Sequence, residues 1–149
     1  MSIQERKVEK DKSRFAGLTL LKQNERHYPQ SPEEAHLETF QNLYADRDYV
    51  ITFDCPEYTS LCPVTGQPDF GHIVIRYIPD KQCIESKSLK LFLFSFRNTN
   101  TFHEESVNTI LDAVVKACSP RAAEVTGEFR PRGGIAIHVT ARYGDKIDE

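Results

Sequence analysis

The chain has 149 residues, 39% of them apolar and 28% charged, which suits one folded domain and excludes a disordered or fibrous chain. Nineteen Lys and Arg against 22 Asp and Glu leave a formal charge of −3, so a general nucleic-acid binder is disfavoured and any anionic ligand must meet a local basic cluster. The longest strongly apolar run, 91–96, falls far short of the roughly 20 residues that span a bilayer, and no apolar stretch follows Met1 to act as a signal peptide. The expectation is a cytoplasmic protein without membrane contact.

Residues 1–28 are polar and charged with isolated apolar positions and read as a flexible N-terminal arm, leaving 29–149 as a single domain. Ser31-Pro32-Glu33-Glu34 has the order of an N-cap, a first-turn proline and a capping-box glutamate, and predicts a short helix through about Thr39. Tyr49, Ile51 and Phe53 alternate with Val50, Thr52 and Asp54, predicting a strand over 48–55 that Pro56 ends. A loop over 57–68 follows, then a second strand over 70–78, paired antiparallel with the first.

After a turn at 79–82, Cys83-Ile84-Glu85 is expected to extend the sheet, and 86–98 is apolar enough for a buried strand or a helix, its length favouring a helix. Thr101-Phe102-His103-Glu104 matches a capping box, and Val107, Ile110, Leu111, Val114 and Cys118 behind it recur at helical spacing. Ser119-Pro120 closes that helix. Two more strands are predicted over 122–129 and 134–142, separated by Arg130-Pro131-Arg132-Gly133. The order strand, strand, helix, helix, strand, strand favours an α+β fold, an antiparallel sheet with its helices on one face.

The four cysteines form no Cys-x-x-Cys pair and the histidines no His-Glu-x-x-His array, so a metal site is disfavoured. In the loop after Pro56, Cys62 is a candidate nucleophile, and Asp69 could fold back across the Gly66 bend as its base or acid. On spacing alone such a pair is more often structural. Lys87 and Lys90, three residues apart near a helix N-terminus, would attract phosphate with the help of the terminal amides, or would simply be solvated. Arg130, Arg132 and Gly133-Gly134 offer a second phosphate contact or an ordinary hairpin turn. Glu104 either caps its helix or, beside His103, presents a carboxylate to the paired N–H donors of a guanine-like ring.

Taken together, Phe-Asp-Cys-Pro-Glu-Tyr-Thr-Ser-Leu-Cys-Pro (53–63), Gly-Gln-Pro-Asp-Phe (66–70), Glu-Ser-Lys-Ser-Leu-Lys-Leu-Phe (85–92), Ser-Phe-Arg-Asn (95–98), Phe-His-Glu (102–104) and Pro-Arg-Gly-Gly (131–134) closely resemble the NADPH-dependent 7-cyano-7-deazaguanine reductases, the nitrile reductases of queuosine biosynthesis, in their short single-domain form. The resemblance runs from about Leu37 to Tyr143. It implies the tunnelling fold and a homo-oligomeric ring with active sites between subunits, acting on a small deazapurine and not on nucleic acid directly. It implies Cys62 as the nucleophile that forms a thioimide with the nitrile and Asp69 as the proton-transfer acid. Ile84, Glu85, Ser86, His103 and Glu104 would bind substrate, and Lys87, Lys90, Arg132 and Gly133 would bind NADPH. With no Gly-x-Gly-x-x-Gly in the chain, the cofactor must be held by another surface. Two other readings remain, a tunnelling-fold protein that only sequesters a purine or pterin, and a zinc-dependent cyclohydrolase.

Overall fold

The computed structural model describes residues 28–148, so the arm expected over 1–28 lies, but for Tyr28, outside the described residues. Tyr28 packs its ring on Phe94, with centroids 4.9 Å apart. In chain order the elements are β1 (Thr39–Gln41), β2 (Ile51–Leu61), β3 (Pro68–Ile78), β4 (Gln82–Ile84), α1 (Ser86–Phe94), α2 (His103–Cys118), β5 (Ala122–Phe129) and β6 (His138–Tyr143).

β2 and β3 form a long antiparallel hairpin that begins the four-stranded sheet β2-β3-β5-β6. β3 alternates strictly, burying Asp69, Gly71, Ile73, Ile75 and Tyr77. β2 does not. Its inward positions are Ile51, Phe53 and Cys55, then Tyr58 and Ser60, because the register slips by one residue between Cys55 and Tyr58. A one-residue bulge exchanges the faces of everything beyond it. Pro56 therefore does not end the strand, as the sequence suggested; a bulged position asks no N–H of it, and β2 runs on to Leu61.

The stripe of α2, with Val107, Ile110, Leu111, Val114 and Cys118, packs with Leu89 and Phe92 of α1 and with Ile73, Ile75, Tyr77, Val125 and Phe129 of the sheet in one core. The opposite sheet face is polar, with Glu124 between Arg76 at 3.9 Å and Arg142 at 2.6 Å, and Thr126 opposite Thr140. The strand, strand, helix, helix, strand, strand order is the one expected, and the fold is α+β.

Besides β2, other predicted elements differ: α1 stops at Phe94 rather than running to Asn98, the chain turning at 95–98. The helix expected from Ser31 to Thr39 is a single turn, Glu34 N–H to Ser31 O and Ala35 N–H to Pro32 O. Beyond it the chain is drawn into extended pairing, with Glu38 N–H on Ser88 Oγ and Thr39 opposite Ile84. β4 pairs with β1 in a separate two-stranded sheet rather than extending the main one, and Ile84 N–H donates to the Tyr77 hydroxyl at 2.9 Å. β6 starts at His138, four residues later than expected, because Gly133 and Gly134 take left-handed φ of 58° and 79° and a tight turn joins Arg132 to Ile135.

Candidate active site

Four elements converge on the end of β2. Leu61 exchanges backbone hydrogen bonds with Thr99 and Thr101, which places the start of α2 beside Cys62. Asp69 is the second residue of β3, in register with Ser60. Arg130 N–H donates to Phe70 O, drawing the β5–β6 hairpin and Arg132 to the same corner. The sequence-expected pair Cys62 and Asp69 is thus joined by His103 and Arg132.

Cys62 is buried at 4% exposure in a tight loop where its N–H donates to Gln67 O and its carbonyl accepts from Gly66 N–H, Gly66 taking φ +69°. The Thr65 hydroxyl, the backbone N–H groups of Thr65 and Val64 and the Arg132 guanidinium all donate to its sulfur and hold its pKa at about 6, against a weaker opposing effect of burial. Each of these donors favours the charged form. The other cysteines with a shifted thiol move the opposite way, since burial raises Cys55 and raises Cys118 to about 11. Cys62 is therefore set apart as the thiolate.

The carboxylate of Asp69, buried beside it, meets Arg132 Nε through Oδ1 at 3.2 Å, whereas Oδ2 has no hydrogen-bond partner. His103 is also buried, its ring stacked on Phe129 with centroids 3.9 Å apart. Burial holds its pKa below the ordinary imidazole value, and Arg132 adds to this. Arg132 Nη2 lies 3.2 Å from His103 Nε2, and a guanidinium only donates, so Nε2 accepts and the proton sits on Nδ1. That Nδ1–H is buried without a partner. The corner thus offers a thiolate, one free carboxylate oxygen and one free N–H donor.

Glu104 is not the capping residue that its spacing suggested. Phe102 is the N-cap, and Glu105 accepts from its N–H at 3.3 Å, while Glu104 is exposed and bears on the charges of His103 and Arg132. Its carboxylate is spared from capping in this way. Glu85 has the reverse fate: it caps α1, its two carboxylate oxygens accepting Lys87 N–H and Ser88 N–H at 2.7 Å each. The terminal amides expected to cradle phosphate are occupied by a carboxylate, which leaves the side chains of α1 for that work.

Ile84 is buried in β4 behind Glu85, and Gly133 is exposed in the hairpin turn. Ser86 and Lys90 line a cavity of about 730 Å³ between β2 and α1. Arg97, Leu89, Leu93 and Phe94 add a cation and an apolar wall, and Leu61 and Pro68, the sequence neighbours of Cys62 and Asp69, form part of its rim. Cys62, Asp69 and His103 do not line this cavity, so the structure groups the expected residues in two places. Arg132 falls with Cys62, although the sequence placed it with the lysines.

Sequence reasoning missed Thr65, Val64 and Phe129. The Gly66 bend was a signal for the first two, since a turn closed by a left-handed glycine points the preceding amides to one side; nothing local marked Phe129. Among the described residues no three His, Cys, Asp or Glu side chains gather as a metal site, and no helix is long and apolar enough to cross a membrane.

The family model described as QueF-like protein matches residues 68–148. Curated relatives include the NADPH-dependent 7-cyano-7-deazaguanine reductase of Neisseria gonorrhoeae (strain NCCP11945), 50% identical over 137 residues that cover 92% of this chain and 87% of the relative. The protein of that description in Streptococcus thermophilus (strain LMD-9) is 55% identical over 127 residues, covering 85% of this chain and 78% of the relative. Among solved structures, an archaeosine synthase QueF-Like in the apo form aligns with a TM-score of 0.59 at 23% identity, covering 67% of this chain and 96% of that one, and shares its fold.

Proposed function

We propose that this chain, which belongs to the QueF-like family and to its NADPH-dependent 7-cyano-7-deazaguanine reductases, reduces the nitrile of 7-cyano-7-deazaguanine to the primary amine of 7-aminomethyl-7-deazaguanine through a covalent adduct on Cys62. It is an enzyme of that type, dependent on NADPH. The observation that carries the covalent route is the Cys62 sulfur, held ionised near neutral pH beside a carboxylate oxygen and an N–H donor that lack partners.

A nitrile accepts hydride poorly until a nucleophile has added to its carbon. The Cys62 thiolate forms a C–S bond to that carbon, one C–N π bond breaks, and the nitrogen takes a proton, giving a thioimide. Asp69 Oδ2 is the oxygen open to pass that proton, because Oδ1 is engaged by Arg132. Two NADPH, bound in turn, would each supply one hydride to that carbon; between the two the nitrogen takes a second proton and Cys62 leaves as thiolate, so the amine is reached with two hydrides and two protons. His103 Nδ1–H can donate to the substrate in the same corner, and Glu104, free of its helix cap, suits the guanine-like edge of the ring.

The α1 surface fits an anionic cofactor through its side chains. Lys90 and Arg97 stand at the cavity with Ser86, and Lys87 is one residue along the same helix; together with the apolar wall of Leu93 and Phe94 they suit a phosphate-bearing dinucleotide. A ring of such chains, with sites closed by neighbours, is supported by the two edges of the main sheet, β2 and β6, that are unpaired among the described residues, and by the exposure of Glu104.

Intact-mass measurement with 7-cyano-7-deazaguanine and no NADPH tests the route. The protein should gain the mass of one substrate, Cys62→Ala should gain none, and added NADPH should be oxidised in about a 2:1 ratio to nitrile. Turnover by Cys62→Ala would overturn the covalent route, and no NADPH consumed by the wild type would leave a binding protein.

A further inference from the structure

The residues that surround Cys62 share a feature that neither the fold nor the reaction requires. One side chain, Arg132, reaches three of them: its Nε is 3.2 Å from Asp69 Oδ1, its Nη2 is 3.2 Å from His103 Nε2, and its guanidinium donates to the Cys62 sulfur. A guanidinium has five N–H donors in a rigid fork and cannot be deprotonated, so it can serve several acceptors at once and fix their relative places. Its own backbone is pinned, Arg132 N–H to Ile135 O and Ile135 N–H to Arg132 O, by the turn that Gly133 and Gly134 make possible.

We propose that Arg132 is a positioning residue for the nitrile reduction: it anchors the Cys62 thiolate, takes up Asp69 Oδ1 so that Oδ2 alone faces the chemistry, and fixes His103 with its proton on Nδ1. This rests on the reading of Cys62 as the nucleophile. It is distinct from the phosphate contact that the resemblance implied for Arg132, because it rests on a carboxylate and an imidazole of the same chain. The groups that act on the Cys62 sulfur are Thr65 and the Val64 and Thr65 amides from its own loop and Arg132 from the hairpin, and Arg132 in turn meets Asp69 from β3 and His103 and Glu104 from α2. Arg132 brings the positive charge to this set, and burial alone opposes ionisation of the thiol. Losing Arg132 therefore removes a donor and the one positive charge from the sulfur and leaves Asp69 Oδ1 without its partner. Because Asp69 is buried against it, urea unfolding is measured beside each variant, and Arg132→Lys keeps a charge for that carboxylate.

The test needs no substrate in its first arm. Thiolate absorbance at 240 nm, taken as the difference from Cys62→Ala, should titrate in the wild type with a midpoint near 6. In Arg132→Gln the midpoint should rise by about one unit, and Arg132→Lys, which keeps charge but loses the fork, should fall between. In the second arm, adduct formation with 7-cyano-7-deazaguanine and no NADPH should slow roughly fivefold in Arg132→Gln at pH 6 and approach the wild-type rate by pH 8.5, as follows from a one-unit shift in the thiolate fraction. An unchanged midpoint and unchanged adduct rate, with only the KM for NADPH raised, would overturn the proposal in favour of a phosphate contact. A wild type that titrates near 6, shifts in the variants, and forms no adduct would instead sink the covalent mechanism while leaving Arg132 as the thiolate anchor.

Discussion

At the scale of single residues, the reactivity of Cys62 is made by small neutral donors as much as by charge. The Thr65 hydroxyl is the largest contributor to the lowered thiol, and Thr65 Oγ1 also accepts Gln67 N–H at 3.3 Å, which aims its proton at the sulfur. A thiol whose pKa is lowered is ionised above the new value, so adduct formation in the wild type should rise as pH passes through about 6 and be flat above about 7.5. Thr65→Val keeps the shape and removes the donor; its adduct profile should keep its plateau but move upward by about one pH unit. Stopped-flow measurement of the adduct from pH 5 to 9 checks this, and an unmoved profile would mean that the loop amides and Arg132 suffice without Thr65.

At the scale of elements, the site depends on how closely α2 can approach the sheet. A Cβ on Gly127 would lie 2.7 Å from both Phe129 Cε2 and Val107 Cγ2, and one on Gly71 would lie 2.7 Å from Phe129 Cδ1. The two glycines leave the room in which the Phe129 ring lies flat, and that ring is the floor on which His103 stacks. Gly127→Ala should therefore cost about 1–3 kcal/mol of stability through overpacking and also slow adduct turnover, because the ring that shifts is the support of His103. Urea unfolding and single-turnover rates measure the two effects. Val107→Ala in the same chain should recover part of both by clearing one of the two clashing groups. A Gly127→Ala chain that loses stability and keeps its rate would separate His103 from this support.

Much of this was legible in the sequence wherever periodicity acted over a whole element. The α2 stripe, the alternation ahead of Pro56 in β2 and the range of β5 needed no partner to be read. What failed was set by pairing across the sheet. Pro56 reads as a strand end until the register of β3 shows the bulge that seats it, and Ser31 to Glu34 read as a helix start until Ser88 Oγ and β4 claim the chain beyond. The site divides the same way. Cys62, Asp69 and His103 lay within motifs that the resemblance identified, whereas the placement of Arg132 against them needs the hairpin contact of Arg130 with Phe70, some 60 residues apart in sequence. The capping assignment moved by one residue, from Thr101 to Phe102, and that step is what releases Glu104.

At the scale of the whole molecule, one chain holds both halves of the expected site but does not set them round one cavity. Cys62, Asp69, His103 and Arg132 meet at one corner, and Ser86 and Lys90 line the space between β2 and α1. Among the described residues the main sheet ends in two edge strands without a further partner, β2 and β6, whose edges invite pairing with further copies and closure of the sheets into a ring. In such a ring the α1 lysines of one chain would face the Cys62 corner of the next. Subunit complementation tests this arrangement. Cys62→Ala and the double variant Lys87→Ala/Lys90→Ala should each be nearly inactive at limiting NADPH. Mixed in equal amounts, unfolded and refolded together, they should recover about a quarter of wild-type activity, because random assembly places an intact corner beside intact lysines at that frequency. If each site is built within a single chain, every site in the hybrid carries one of the two lesions, and no activity returns at any mixing ratio.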